Sequence, residues 1–234
     1  MRLFLNGGGD GQQTIVANGV FYELLDCSKP LLYVPLAMET ELYQSCYQWI
    51  TGEFKDFDMP LIEMVTSSKE LYFKKFEDYC AIFIGGGNTF KLLSDLKTSG
   101  SFDKIRNFID KNGIVFGGSA GAIIFGENLD SCIYADNNDV GLTEIDGFDV
   151  LNGVSFLCHY TNESDEMTKR QTHYLLELSS TLTILALPEE DTIYIHGDNI
   201  SMLGDRPYYI FKNRTRLEYN IENLKSVLDD IFTS

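Results

Sequence analysis

Short apolar runs of four to six residues alternate along this chain with longer stretches whose apolar positions recur at helical spacing. Runs that short, bounded by glycine or polar residues, suit strands buried on both faces, and the amphipathic stretches suit helices that cover them. The pattern predicts strands at 2–6, 31–35, 61–65, 81–84 and 114–116. Helices are predicted at 13–25, 39–50, 69–77, 89–96 and 102–111, with another beginning over 120–125. Residues 128–152 break the rhythm: they are rich in Asp and Asn and have little periodicity, so they predict a long loop, of the kind that is usually functional. An apolar run at 154–158 and a helix at 165–178 follow. Closely spaced strands at 183–187, 192–196, 200–203 and 208–211 come next, with a closing helix at 221–231. Strand-helix alternation of this kind implies an α/β fold with a mostly parallel sheet between two helical layers. Neither a repeat nor a linker interrupts it, so residues 1–234 are expected to form a single domain.

Composition narrows the partners. The 234 residues carry 18 Lys and Arg against 35 Asp and Glu, a net charge of −17, with 44% hydrophobic residues. The hydrophobic share rules out disorder. The charge disfavours nucleic acid and anionic membrane surfaces, apart from any local basic pocket. No apolar run reaches the roughly 18 residues a bilayer span needs, and the N-terminus reads as a strand entering a glycine loop rather than a signal peptide. Five scattered cysteines then imply free thiols and a cytoplasmic setting. Three dispersed histidines with no ligand motif imply no metal and no cofactor, so chelators should leave any activity intact.

Two glycine-rich junctions fall at the carboxyl ends of predicted strands, where open parallel sheets build their sites. The second, Gly117-Gly-Ser119-Ala-Gly121, fits G-x-S-x-G. That pattern makes a tight strand-to-helix turn and presents the Ser119 hydroxyl above the sheet. The following helix would aim its amides at the site, with Ala120 N–H as the first oxyanion donor. The first junction, Gly85-Gly86-Gly87-Asn88, lacks the lysine and spacing of a phosphate loop. A backbone N–H from Gly87 or Asn88 facing Ser119 is the better reading. His159 ends an apolar run and is expected at a strand end of the same sheet, as the base. His173 and His196 fit packing or surface positions. The orienting carboxylate is expected in the excursion, which offers Asp130, Asp136, Asp139, Glu144, Asp146 and Asp149.

Five segments resemble the serine peptidases of the dipeptidase E type, peptidase family S51, which also includes cyanophycinases. They are Ile84–Leu93 (IGGGNTFKLL), Gly117–Ala122 (GGSAGA), Asn138-Asp139 followed by Gly147–Leu151 (GFDVL), His159–Asn162 (HYTN) and Ala186–Glu189 (ALPE). The resemblance implies a class I glutamine-amidotransferase-like, flavodoxin-like α/β/α fold and catalysis in the order Ser, acid, His. It makes Ser119 the nucleophile, His159 the base and Asp139 the acid, with Asp136 the alternative because extra residues lie between Gly126 and Asp139. Gly87 and Ala120 would supply the oxyanion hole. The family's dipeptidases hold an N-terminal aspartate with arginines on the helix after the histidine motif. Here Thr168 and Gln171 stand in those places, beside Lys169 and Arg170, so an aspartyl preference is not expected.

The expected activity is therefore hydrolysis of small peptides in a pocket overhung by residues 128–152. No nucleic-acid or membrane partner is expected, and a homodimer is compatible with the sequence. The alternative of another class is a catalytically silent binding domain that kept the turn. An α/β-hydrolase esterase fits less well, because its histidine lies near the C-terminus rather than 40 residues after the serine. A glutamine amidotransferase proper would need cysteine at position 119, and Cys158 reads as a buried strand residue.

Overall fold

The computed structural model describes residues 1–161, 165–220 and 222–233. In chain order its elements are β1 (Arg2–Asn6), α1 (Ile15–Glu23), β2 (Leu31–Val34), α2 (Tyr43–Glu53), β3 (Ile62–Met64), α3 (Ser68–Phe73), β4 (Ala81–Ile84), α4 (Thr89–Ser99), α5 (Ser101–Asp110), β5 (Ile114–Gly118), α6 (Ala120–Ile123), β6 (Val154–Leu157), α7 (Glu166–Leu178), β7 (Thr183–Ala186), β8 (Thr192–His196), β9 (Asn199–Leu203), β10 (Tyr208–Lys212), β11 (Thr215–Tyr219) and α8 (Leu224–Thr233). Residues Asn162 and Ile221, at the end of the histidine motif and the start of the expected closing helix, lie outside the described residues.

Seven strands form one sheet in the order β3-β2-β4-β5-β1-β8-β9. The first five are parallel, and β8 and β9 close the edge antiparallel. Every residue of β2, β4 and β5 is buried, as strands covered on both faces must be. Register puts Tyr33, Phe83, Phe116, Phe4 and Tyr194 side by side on one face. Neighbouring rings in this row lie 4.5–5.9 Å apart, and three of the four pairs are stacked. α1 and α2 cover that face through Phe21, Ile50 and Phe54. The opposite face, with Leu5, Val34, Ile84 and Val115, packs on α4, α5 and α6. These are the expected three layers.

Two features depart from the reading of the sequence. The run 154–158 does not enter the central sheet. It forms β6 in a second, four-stranded sheet, order β11-β10-β7-β6. That sheet packs α7 on one face through Tyr160, Leu175 and Phe211, and presents Phe156, Leu185 and Ile210 to the main core with α8. β11 was not anticipated. It is a largely exposed edge strand whose sequence, Thr-Arg-Leu-Glu-Tyr, carries no clear apolar alternation.

Candidate active site

Ser119 sits between the last residue of β5 and the first of α6, with φ 53° and ψ −116°. A positive φ is costly for a side chain with a Cβ, by about 1–3 kcal/mol, and persists only where the surroundings enforce it. Here Ser119 N donates to Asn6 O at 3.1 Å, while Ala122 N and Ile123 N donate to Ser119 O at 2.8 and 3.0 Å. The flanking glycines permit close backbone packing. A Cβ on Gly117 would stand 2.2 Å from Gly121 O, and one on Gly121 would stand 2.2 Å from Ile84 O. The helix expected over 120–125 is a single turn, Ala120–Ile123. Individual amides therefore matter here, not a macrodipole.

His159 lies two residues beyond β6 and also has positive φ, 56°. Its N–H donates to Gly7 O at 2.9 Å, which hangs the end of β6 on the end of β1 across the boundary between the two sheets. The ring lies against Gly8, where a Cβ would come within 2.1 Å of His159 Cε1. Ser119 Oγ is 2.8 Å from His159 Nε2, and His159 Nδ1 is 2.9 Å from Glu189 Oε1. A carboxylate only accepts, so the Nδ1–H donates to Glu189 and Nε2 is left to accept from the serine hydroxyl. The hydrogen bond from His159 holds the Glu189 carboxyl below the usual range against the opposing effect of burial, and a 3.2 Å bond from Gln13 Nε2 adds to it.

The carboxylate at His159 is thus Glu189, three residues beyond β7, and neither acid from the excursion. Asp136 accepts from Thr89 N at 2.9 Å and from the Thr89 hydroxyl, which pins the excursion to the start of α4. Asp139 is exposed, in a turn closed by Asn138, whose side chain bonds the backbone of Leu142. Asp149 is spent on Gly153 N. Ala120 follows Ser119 directly, and Gly87 lines the same cavity as the serine. A Cβ on Gly86 would stand 3.1 Å from Ser119 Cβ, so the β4–α4 junction abuts it. The amides of Gly87 and Ala120 donate to no protein acceptor among the described residues. The amide of the next residue, Asn88, is taken up by Ala37 O at 2.8 Å, and its Oδ1 caps α4 by accepting from Lys91 N at 2.8 Å.

A cavity of about 410 Å³ opens beside Ser119 and His159. Its floor is the aromatic row of the sheet, through Tyr33, Phe83 and Phe116. α2 supplies a wall through Trp49 and Phe54, with Glu53 the carboxylate of the lining. The excursion 128–152, expected as the roof, contributes no lining residue. Buried Cys158 is held far above the ordinary thiol range by desolvation and is inert as a nucleophile. Among the described residues, no group of three or more His, Cys, Asp or Glu is placed to hold a metal ion, and no helix is long and apolar enough to cross a membrane.

The sequence profile of peptidase family S51 matches residues 3–203, which include Ser119, His159 and Glu189. The chain belongs to peptidase family S51. Membership makes it a serine-type peptidase. Peptidase E of Nostoc sp. (strain PCC 7120 / SAG 25.82 / UTEX 2576) is 30% identical over 193 residues, 79% of this chain and 76% of that protein. Peptidase E of Escherichia coli O1:K1 / APEC is 31% identical over 138 residues, 56% of this chain and 58% of that protein. Two solved structures share the fold. A candidate peptidase E from Listeria monocytogenes EGD-e has a TM-score of 0.68 at 23% identity, covering 87% of this chain and 98% of that one. A peptidase from an acI-B1 Actinobacterium has a TM-score of 0.69 at 15% identity, covering 94% of each. The S51 match ends with β9, so β10, β11 and α8 lie beyond it.

Within this S51 peptidase, α7 stays out of the cavity. Thr168 donates to Asp165, the N-cap of α7, through N and Oγ1. Arg170 pairs with Glu166 at 3.2 Å on the exposed face, and neither Lys169 nor Gln171 lines the cavity. Two contributors escaped the reading of the sequence: Glu189, although its ALPE segment was one of the matching motifs, and the α2 wall with Glu53.

Proposed function

We propose that this peptidase hydrolyses short peptides through Ser119, His159 and Glu189 acting as a triad at a strand-to-helix nucleophile elbow. His159 Nε2 takes the hydroxyl proton as Ser119 Oγ forms its bond to the scissile carbonyl carbon. Glu189 holds the ring by Nδ1–H and faces the positive charge that develops on it. The carbonyl oxygen becomes an oxyanion, for which the Gly87 and Ala120 amides are the donors. The C–N bond then breaks, and the proton on Nε2 passes to the leaving amine. Water enters the same site, gives its proton to His159 and splits the acyl ester, returning the serine. The observation that carries this reading is the continuous hydrogen-bond line Ser119–His159–Glu189 beneath an open cavity. The cavity is near the lower end of small-ligand pockets, which run to about 300–1,000 Å³, and so suits a peptide of few residues.

A fluorophosphonate probe and a dipeptide panel test it together. Wild type should be labelled and should release free amine from at least one dipeptide. Ser119→Ala should keep its melting profile, escape labelling and lose hydrolysis by several orders of magnitude. Substantial turnover by Ser119→Ala on a dipeptide that wild type cleaves would overturn the assignment.

A further inference from the structure

The cavity beside Ser119 has a chemistry of its own. Three aromatic rings of the sheet make its floor, and Trp49 and Phe54 make a wall. Neither lysine nor arginine lines it. A side-chain carboxylate placed there would lose its hydration with no cation in return, which disfavours it strongly. A bulky apolar side chain would instead exchange water for aromatic contact, which favours it.

Glu53 ends α2 and is half-buried in the same lining. Its carboxylate accepts no hydrogen bond and makes no ion pair among the described residues. Burial, reinforced by the charge of Asp10, pushes it up to about 7. The backbone segment that reaches it also reaches the reacting groups. Gly8 touches the His159 ring, Gly9 N donates to Glu189 O at 2.9 Å, and Gly11 packs against Glu53. Glu53 thus shares the lining of one cavity with Ser119 and His159, and the segment 8–11 joins the two.

We propose that the cavity receives a bulky apolar side chain from the residue on the acyl side of the scissile bond, and that Glu53 holds the free α-ammonium group of that same residue. The substrates are then short peptides with an unblocked, apolar N-terminal residue. This rests on Ser119 being the reacting serine, but binding tests it apart from chemistry.

The experiment is calorimetric binding to Ser119→Ala of four peptides: Phe-Leu, N-acetyl-Phe-Leu, Asp-Leu and Lys-Leu. Phe-Leu should bind at least tenfold more tightly than each of the others. Adding Glu53→Gln should erase the advantage of Phe-Leu over its acetylated form and leave the acetylated peptide unchanged. Equal or tighter binding of Asp-Leu or of N-acetyl-Phe-Leu overturns the proposal. Tightest binding of Lys-Leu, lost in Glu53→Gln, overturns it too, by assigning Glu53 to the side chain. Absence of binding by all four also refutes it. The peptide comparisons need only Ser119→Ala, so they stand if the second variant fails to fold. If these bind as expected while wild type escapes fluorophosphonate labelling, the hydrolytic reading fails alone.

Discussion

Replacing Glu189 with glutamine removes the negative charge at His159 Nδ1 while leaving an oxygen of the same reach. The charge stands 2.9 Å from the ring nitrogen, and the two side chains are 47% and 42% exposed. At that distance opposite unit charges attract by about 6 kcal/mol at an effective dielectric of 20 and by about 1.4 kcal/mol in bulk water. A pair this open falls between the limits, so the imidazolium formed in the transition state loses about 2–4 kcal/mol. That corresponds to a fall in kcat/KM of roughly 30- to 1000-fold, below the ~10⁴-fold known for a buried triad acid. The loss should fall on kcat, because Glu189 meets the proton on His159 and not the substrate. Its pH dependence has a definite sign. The Glu189 carboxyl is held below its ordinary value, so its charge is present throughout the neutral range. The ratio of wild type to variant should stay constant at neutral and alkaline pH and narrow only as pH falls through the low carboxylate range. The assay is release of free amine from a dipeptide across a pH series, with exposed Asp139→Asn as the control expected within threefold of wild type. Activity of Glu189→Gln within threefold of wild type, with Asp139→Asn down a hundredfold, would refute the assignment of the acid.

Three further outcomes are expected. Ser119→Gly should abolish turnover and raise unfolding free energy by about 1 kcal/mol in urea melts, because glycine accepts the positive φ without strain; a variant less stable than Ser119→Ala would contradict the strain argument. Gly8→Ala should keep its circular dichroism spectrum and lose at least a hundredfold in kcat, since its methyl group would occupy space held by the His159 ring; near-normal kcat would show that the seat is not tight. Asp191 is fully buried, has an oxygen without a partner, and is pushed up to about 7 by desolvation. The folded chain therefore binds more protons than the unfolded one between the ordinary carboxylate value and about 7, and stability falls as pH rises through that window. Asp191→Asn should gain relative to wild type by up to ~2–3 kcal/mol between pH 5 and pH 8, and a pH-independent difference would argue against it.

The strands that set the site were legible because they are buried on both faces: 2–6 and 81–84 match β1 and β4 in full. The tight turn at Ser119 was legible because close backbone approach at Gly117 and Gly121 leaves a sequence trace. The carboxylate at His159 was not, because the excursion between Ser119 and His159 is full of solvated carboxylates that all look alike in sequence. Glu189 lies after the next strand, and its signal was position: the carboxyl end of β7, the parallel neighbour of the strand that carries His159. An apolar run shows that a strand exists but not which sheet it joins, so β6 was misplaced. β11 escaped because its hairpin turns on Asn213 and Arg214, both at positive φ, where arginine gives no turn signal.

Ser119 belongs to the seven-stranded sheet, whereas His159 and Glu189 follow strands of the four-stranded one. The hydrogen-bond line Ser119–His159–Glu189 therefore crosses a seam, sewn by His159 N to Gly7 O and Gly9 N to Glu189 O, each 2.9 Å, while Gly7 N to Asp191 O extends the β1–β8 ladder. On the proposed mechanism, catalysis becomes a gauge of how the two halves meet. A slip of one ångström would break the 2.8 Å contact while both sheets kept their own ladders. On gentle heating or in mild denaturant, turnover should vanish before the far-ultraviolet signal moves, and the gap between those midpoints would measure the strength of the stitching alone.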